Sequence, residues 1–371
     1  MKAIDKWLIP YVRSVFRRRR GLSSQPVHIM FALCDHYEPL SPAASQTQAI
    51  GDQRVARWLQ EWPRLAAEFR DADGRQPCHS IFYPAEAPEG ATRYVPQLLP
   101  LLEQGSAEME VHLHHRDDTE AGLRAQLIEF RDYLHREFGI LGKDRNGLPK
   151  YGFIHGNWAL CNSRPDGDWC GVNNELNILR ETGCYADFTF PSVPSSTQPR
   201  NFCNDLYWAK DRGGAPRSHD FGRRLEVGLA PDDNELLLVQ GPVGLNWHSR
   251  KFGLIPRIEN ADISGGNIPT PERVDLWIRQ QVHVLGRENW IFIKMHTHGC
   301  VERNAEVLLG ERMRAMYRHL LQRYNDGRDF IVHFVSAREL SNIARAAVAG
   351  EVGPPGQYRD WHVGRPEIRR D

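Results

Sequence analysis

The sequence predicts an α/β fold: a distorted (β/α) barrel of about seven or eight mainly parallel strands. Short apolar runs alternate with amphipathic helical patterns along most of the chain. Such strand-then-helix alternation is typical of parallel strands joined by helices. An open doubly wound sheet is the alternative, but no glycine-rich phosphate loop follows the first strand.

The individual elements follow from the period of the apolar residues. Strands are predicted at 27–34, 79–83, 108–114, 151–155, 185–190, 236–240, 290–296 and 330–335. Helices are predicted at 52–70, 120–138, 174–182, 271–286, 304–325 and 336–348. Residues 191–235 and 241–270 are rich in Pro, Gly, Asn and Asp. We expect them to be long loops that shape a binding site.

The chain has 371 residues, of which 41% are hydrophobic and 25% charged, as in ordinary globular proteins. No linker with a break in composition divides it. We therefore predict one domain at 25–349, preceded by a basic amphipathic segment at 1–24 and followed by an irregular tail at 350–371.

Charge and cysteine content narrow the classes of function. Lys plus Arg and Asp plus Glu both number 47, so a nucleic-acid partner is not expected. The seven cysteines include no CxxC pair, which argues against a disulfide framework. No secretory signal is visible, and no apolar run approaches the ~18 residues of a spanning helix. These features favour a cytoplasmic protein.

The N-terminal residues 1–20 allow two interpretations. Apolar residues recur at helical spacing, and Lys2, Lys6, Arg13 and Arg17 to Arg20 add a basic complement. This pattern is typical of a helix lying on anionic lipid, which would give peripheral contact with the inner face of a membrane. A helix docked on the domain is the favoured interpretation, and Pro10 would disrupt either helix.

Three predicted strands end in unusual polar residues. The first ends in Asp35-His36, within "FALCDHYEP". In "EMEVHLHHRDD", alternation puts His112 and His114 on one face, and in "WIFIKMHTHG" it pairs His296 with His298. Because functional groups collect at the carboxyl ends of barrel strands, we expect these side chains to converge.

The converging residue types are those of a metal site. Imidazole nitrogens and carboxylate oxygens suit a divalent cation, with zinc as the first expectation. Two imidazoles two residues apart on one strand face can reach one ion. Histidines that only form structural hydrogen bonds are the competing interpretation.

The ordered motifs resemble the polysaccharide deacetylase family (carbohydrate esterase family four, NodB-like homology domain). "ALCDHYEP" is similar to the family's first motif, with Cys34 where a second Asp would stand, and "EVHLHHRDD" to its second, with Asp118 at the place of a His. "GFIHGNWAL" resembles the third motif but lacks its Arg, with Ile154 in that segment. "LRETGCYADFTFPS" and "IKMHTHG" resemble the later ones.

The resemblance implies a NodB-like fold and metal-dependent removal of an acyl group, N-acetyl above all, from a sugar of a cell-surface or extracellular polysaccharide or its precursor. Asp35 would be a metal ligand or the catalytic base, and His296 or His298 the acid. The motifs place His114 and Asp118 as further metal ligands, and His112 is an additional candidate as a fourth or substitute ligand. The candidate substrate-binding residues are His155, Asn157, Trp158 and Trp247.

Two other classes of function stay open. One is a different barrel metallohydrolase, acting on a cyclic amide or a phosphoester. The other is a relative that binds carbohydrate without catalysis. This class stays open because Cys34 and Ile154 replace residues that the family's motifs carry at those positions.

Overall fold

The computed structural model describes residues 3–18, 25–41 and 47–369. Its strands are β1 (Val27–His36), β2 (His79–Pro84), β3 (Ala107–Leu113), β4 (Tyr151–His155), β5 (Cys184–Asp187), β6 (Leu206–Lys210), β7 (Gly222–Arg224), β8 (Glu235–Val239), β9 (Gly244–Lys251), β10 (Ile255–Glu259), β11 (Trp290–Thr297) and β12 (Phe330–Phe334). Its helices are α1 (Ile4–Arg17), α2 (Gln48–Ala67), α3 (Pro88–Glu103), α4 (Glu120–Phe138), α5 (Glu175–Thr182), α6 (Pro271–Arg279), α7 (Glu302–Leu308), α8 (Glu311–Tyr324) and α9 (Ala337–Val348).

A large, mostly parallel sheet forms the centre of the molecule. Its strand order is β11-β1-β2-β3-β4-β5-β8-β6-β7, and β12 also pairs with β1. Among the described strands of this sheet, β6 alone pairs antiparallel with its neighbours, which are β7 and β8. The predicted mainly parallel α/β fold is confirmed. Within the described ranges no ladder joins β11 to β7, so the predicted barrel is not closed by strand pairing.

Each face of the sheet buries its own set of apolar side chains. Ile29, Phe31 and Leu33 of β1 belong to the larger cluster, which includes residues of α2, α3, α4 and α8. The alternate residues Met30 and Ala32, with Cys34, belong to a second cluster that includes α9. The period-two burial explains why β1 is apolar throughout, since both of its faces are covered.

Several predicted boundaries are wrong, each for a local reason. The segments 191–235 and 241–270, predicted as loops, contain β6, β7 and the β9–β10 hairpin. Their high Pro and Gly content is typical of loops and masks the short strand patterns. The predicted helix 304–325 is two helices that break at Gly310, and the predicted helix 271–286 ends at Arg279. The helix α3 was not predicted, because Pro96 and Pro100 lie inside it.

The helix α1 docks on the domain and keeps an apolar stripe exposed. Trp7 and Tyr11 pack with Val193, Cys203 and Val243. On the outer side Leu8, Val12 and Phe16 are exposed, and Pro10 is tolerated inside the helix. Lys2, Arg19 and Arg20 lie outside the described residues. Docking fits the favoured interpretation, and the membrane contact stays a prediction.

The tail after α9 contains one short 3₁₀ turn at Pro355–Tyr358 and otherwise irregular backbone up to residue 369. It is tied to the domain, since Arg359 contacts Asp73 and Glu339 at 2.9 and 2.8 Å. Among the described residues, no helix combines the length and apolar character needed to cross a bilayer.

Candidate metal centre

Parallel pairing brings the carboxyl ends of several strands to one edge of the sheet. In the register of the sheet, Cys34 pairs with His296, and Pro84 pairs with His112. Because Met109, Val111 and Leu113 face the larger apolar cluster, Glu110 and His112 of β3 face the other way, as alternation predicts. The same alternation separates Ile291, Ile293 and Met295 of β11 from Lys294 and His296.

Four imidazoles surround one carboxylate at this edge. We call the set the Glu38 cluster; its members are His36, Glu38, His112, His114 and His298. One potential ligand atom from each of Glu38, His112 and His114 lies within 4.8 Å of the others. The same holds for His36, Glu38 and His298, so Glu38 belongs to both sets.

The ring nitrogens of His112 and His114 are oriented by second partners. Nδ1 of His112 lies 2.8 Å from the Ile154 carbonyl oxygen, and Nδ1 of His114 lies 2.6 Å from Oε1 of Glu86. With Nδ1 as donor, each ring directs Nε2 towards Oε1 of Glu38, at 2.9 and 3.5 Å. Metal-binding histidines usually show this arrangement, in which the outer nitrogen donates to a carboxylate or a carbonyl. The donor set therefore fits a divalent cation.

The electrostatics of the Glu38 cluster keep its carboxylate ionised. Burial raises the pKa of Glu38, but the hydrogen bond from His112 and the charges of His112 and His114 outweigh it and bring the pKa to about 2. Burial and the neighbouring His298 lower the pKa of His36 well below its usual value, so that its imidazole is neutral. Burial lowers the pKa of His114, but the hydrogen bond with Glu86 and the charges of Glu38 and Glu86 outweigh it and raise the pKa above its usual value. A cation bound here would therefore displace the proton of His114, because imidazole binds metal in its neutral form.

Solvent reaches the Glu38 cluster from one side. The side chains of His114 and Glu86 are 30% and 29% exposed, whereas that of His112 is buried. A Cβ atom at Gly156 would overlap the His114 ring, so this glycine allows the loop after β4 to approach the cluster. The candidate ligand His114 is therefore accessible from solvent, as a ligand of a catalytic metal must be.

The carboxylate beside the imidazoles is Glu38, and not the predicted Asp35. Neighbours along a strand point to opposite faces, so Asp35 faces away from His36. Its Oδ2 lies 2.8 Å from Nε2 of His79, and its Oδ1 accepts a 2.6 Å hydrogen bond from the Gly299 amide. Asp35 thus ties the end of β1 to β2 and to the loop after β11.

The predicted ligand Asp118 lies beside a different histidine. Its Oδ2 is 3.0 Å from Nδ1 of His115, and its Oδ1 accepts from the Thr119 amide at 2.7 Å. Asp118 lies four positions after His114, and between them the chain turns, with a positive φ at Asp117. This turn carries Asp118 towards His115 instead.

The two predicted acids of β11 occupy different surroundings. His298 stacks on His36 with 4.4 Å between ring centroids and belongs to the Glu38 cluster. His296 is 3% exposed, and its Nδ1 has no hydrogen-bond partner among the described residues. Of the pair, His298 is the residue that the structure brings to the candidate ligands.

The predicted substrate-binding residues are dispersed. His155 is buried next to His115, with 2.9 Å between their Nε2 atoms. Asn157 is exposed and Trp158 half-buried in the turn that follows Gly156. Trp247 is 55% exposed on β9 of the hairpin. Of these residues, Asn157 and Trp158 are the ones next to the Glu38 cluster, because their turn begins at Gly156, which lies against the His114 ring.

A further acidic group does not need a cation. Asp71, Asp73 and His333 also bring potential ligand atoms together. Arg359 lies 3.3 Å from Asp71 and 2.9 Å from Asp73, and His333 lies 2.8 Å from Asp73. The guanidinium group supplies the positive charge there.

Comparisons with known proteins found a similar fold and no match to a family model or to a curated protein. No family model matches the chain, and no curated protein matches it. Among solved structures, it is similar to the crystal structure of a putative polysaccharide deacetylase from Mycobacterium smegmatis. The two are 13% identical, with a TM-score of 0.42, over 89% of this chain and 94% of that chain. What this chain does must therefore be argued from its own residues.

Proposed function

We propose that this chain is a metal-dependent hydrolase that removes an acyl group, N-acetyl first of all, from a sugar. The observation that carries the proposal is the Glu38 cluster at the carboxyl edge of a parallel sheet, open to solvent on one side. The ordered motifs of the sequence support an acylated sugar as the substrate. Zinc is the proposed ion, because nitrogen and oxygen ligands suit it.

Glu38, His112 and His114 would hold the ion. A bound cation of this kind polarises a carbonyl oxygen and lowers the pKa of a bound water to about 7. Glu38 contributes a negative charge that persists to low pH, since its pKa is about 2. Ile154 and Glu86 contribute the fixed orientation of the two imidazoles.

His298 is the proposed proton donor to the departing amine. It is half-buried and lies beside Glu38 without taking part in the His112–His114 set. The ring of His36 stacks against it and fixes its plane. General acid help of this kind is typically worth about 10²- to 10⁴-fold in rate.

The proposed sugar contacts are the residues next to the open side. Asn157 and Trp158 follow Gly156, which lies against His114, and Trp247 offers an exposed ring on the hairpin. Residues such as these can hydrogen-bond and stack on sugar faces. The apolar stripe of α1 is the proposed contact with a membrane on which such a substrate could be held.

The test is acetate release from N-acetylated amino-sugar oligomers by the purified chain. We expect activity that a chelator abolishes and zinc restores, and that His114→Asn abolishes. His135→Asn, which changes a histidine on α4, is the matched control and should retain activity. Acetate release that persists after complete metal removal, or none across a broad panel of oligomers, would contradict the proposal.

One observation favours a second candidate. Because Glu38 belongs to both ligand sets, it could bridge two cations, as carboxylates do in hydrolases with two metals about 3.5–4 Å apart. Such a centre would suit phosphoester hydrolysis. Phosphatase activity with two metal ions lost together in Glu38→Gln, and no acetate release, would select this candidate.

A further inference from the structure

A second group of metal-ligating side chains lies outside the Glu38 cluster. We call it the Cys170 cluster; its members are His115, His155, Cys170 and Glu175. One potential ligand atom from each lies within 4.8 Å of all the others, and all four residues are buried. They come from the end of β3, the end of β4, the loop after β4, and the first turn of α5.

The two imidazoles of the Cys170 cluster face each other through the same nitrogen. Nδ1 of His115 donates to Asp118, and Nδ1 of His155 donates to the Gly156 carbonyl oxygen. In their neutral forms both rings therefore present the lone pair of Nε2. These two Nε2 atoms are 2.9 Å apart. Lone pairs repel at such a distance unless a proton or a cation lies between the rings.

The carboxylate of Glu175 is directed at the two Nε2 atoms of His115 and His155. Its Oε1 is buried, has no hydrogen-bond partner among the described residues, and lies 3.4 and 3.5 Å from Nε2 of His115 and His155. Its Oε2 accepts from the Cys161 amide at 2.5 Å. A buried carboxylate oxygen without a partner is costly, and a positive ion at the centre of the cluster would remove that cost.

Cys170 supplies the fourth potential ligand. Its Sγ is 3.4 Å from Oε2 of Glu175 and 3.2 Å from the Val172 carbonyl oxygen. Its own carbonyl oxygen accepts a hydrogen bond from the Asp118 amide at 3.1 Å. Asp118 therefore orients His115 with its side chain and holds the Cys170 loop with its backbone.

We propose that the Cys170 cluster is a structural zinc site. Two imidazoles, a thiolate and a carboxylate form a four-ligand set that matches the tetrahedral preference of zinc, and the thiolate excludes the hard cations magnesium and calcium. All four positions come from the protein, so no place remains for a substrate. Burial lowers the pKa of His115, but its hydrogen bonds with Asp118, Cys170 and Glu175 outweigh it and raise the pKa to about 12. On binding, zinc would therefore displace the proton of His115 as well as the thiol proton of Cys170.

The site would fix the segment between β4 and α5. This segment starts at Gly156, beside His114, and carries Asn157 and Trp158. Zinc would anchor it at His155, Cys170 and Glu175, and attach it to the end of β3 through His115. The inference stands independently of the proposed hydrolase function, because it requires only folded protein and the ion.

The test is cobalt substitution followed by absorption spectroscopy. The Co²⁺-loaded wild type should show a thiolate-to-metal charge-transfer band. The variant Cys170→Ser should lack this band and should bind about one equivalent less of tightly bound metal than the wild type. Cys184→Ser, which changes another buried free cysteine, is the matched control and should keep both. Glu38→Gln should also keep the band, which separates this site from the Glu38 cluster.

X-ray absorption on zinc-loaded wild type keeps the test valid even where Cys170→Ser does not fold. We expect a Zn–S distance of about 2.3 Å from one sulfur. A proton shared between His115 and His155 is the competing explanation, and it requires no metal. Wild type that shows no charge-transfer band and no Zn–S scattering, when refolded with the ions, would overturn the inference.

Discussion

The Glu38 cluster and the Cys170 cluster are built at the ends of the same strands but differ in exposure and donor chemistry. Both use histidines of the segment His112 to His115, and alternation sends His114 to one cluster and His115 to the other. The Glu38 cluster has no sulfur, and its His114 is 30% exposed. The Cys170 cluster contains a thiol and is buried on all sides. Under the two proposals, neighbouring imidazoles of one strand end would serve catalysis in one cluster and structural support in the other.

The substitution Glu38→Gln should show the largest difference between the clusters. It removes the negative ligand, and the transition-state stabilisation that a metal supplies is several kcal/mol, which corresponds to a fall in kcat/KM on the order of 10³-fold. The measurement is acetate release at saturating zinc. The exposed Glu129→Gln on α4 is the control. Near-normal activity of Glu38→Gln would show that the Glu38 cluster is not the catalytic centre.

The substitution Glu86→Gln should have a smaller effect on the same cluster. Glu86 only orients His114, and outer partners of this kind typically change metal affinity by about 10- to 100-fold. Competition with a chelator measures the affinity. Excess zinc should rescue the activity of Glu86→Gln but not that of Glu38→Gln. Equal rescue of both variants would mean that Glu38 is not a ligand.

The substitution Asp35→Asn should leave both clusters loaded and affect stability only. Its carboxylate accepts from the Gly299 amide and contacts His79 in the core, so we expect a loss of about 1–3 kcal/mol in the free energy of unfolding. Denaturant titration measures this loss, and metal analysis should show unchanged content. Asp52→Asn, at an exposed pair with Arg93, should change little. Loss of metal in Asp35→Asn would restore its predicted role as a ligand.

Regular periodicity explains what the sequence could predict. Alternation along β3 and β11 is enough to place His112 and His296 on the sheet face opposite the larger apolar cluster. The strand-then-helix order predicts the parallel sheet. Glu38 could not be found in this way, because it lies two residues beyond the end of β1 in irregular backbone, where no period applies. Its one signal was its place in "DHYEP", directly after a strand end.

The Cys170 cluster was still less predictable. Cys170 lies in an irregular loop and Glu175 in the first turn of α5, so their approach to His115 depends on tertiary packing. Cys170 stands apart from any CxxC pair, which is the usual zinc signal. Motif position pairs Asp118 with His114 as metal ligands, whereas the turn at Asp117 places Asp118 beside His115.

The most direct measurement is anomalous X-ray scattering at the zinc edge from crystals of the full chain grown with zinc. We predict one peak among Glu38, His112 and His114, and a second among His115, His155, Cys170 and Glu175. The first peak should disappear in Glu38→Gln while the second remains. Absence of any peak beside Glu38 in zinc-loaded crystals would contradict a metal-dependent hydrolase.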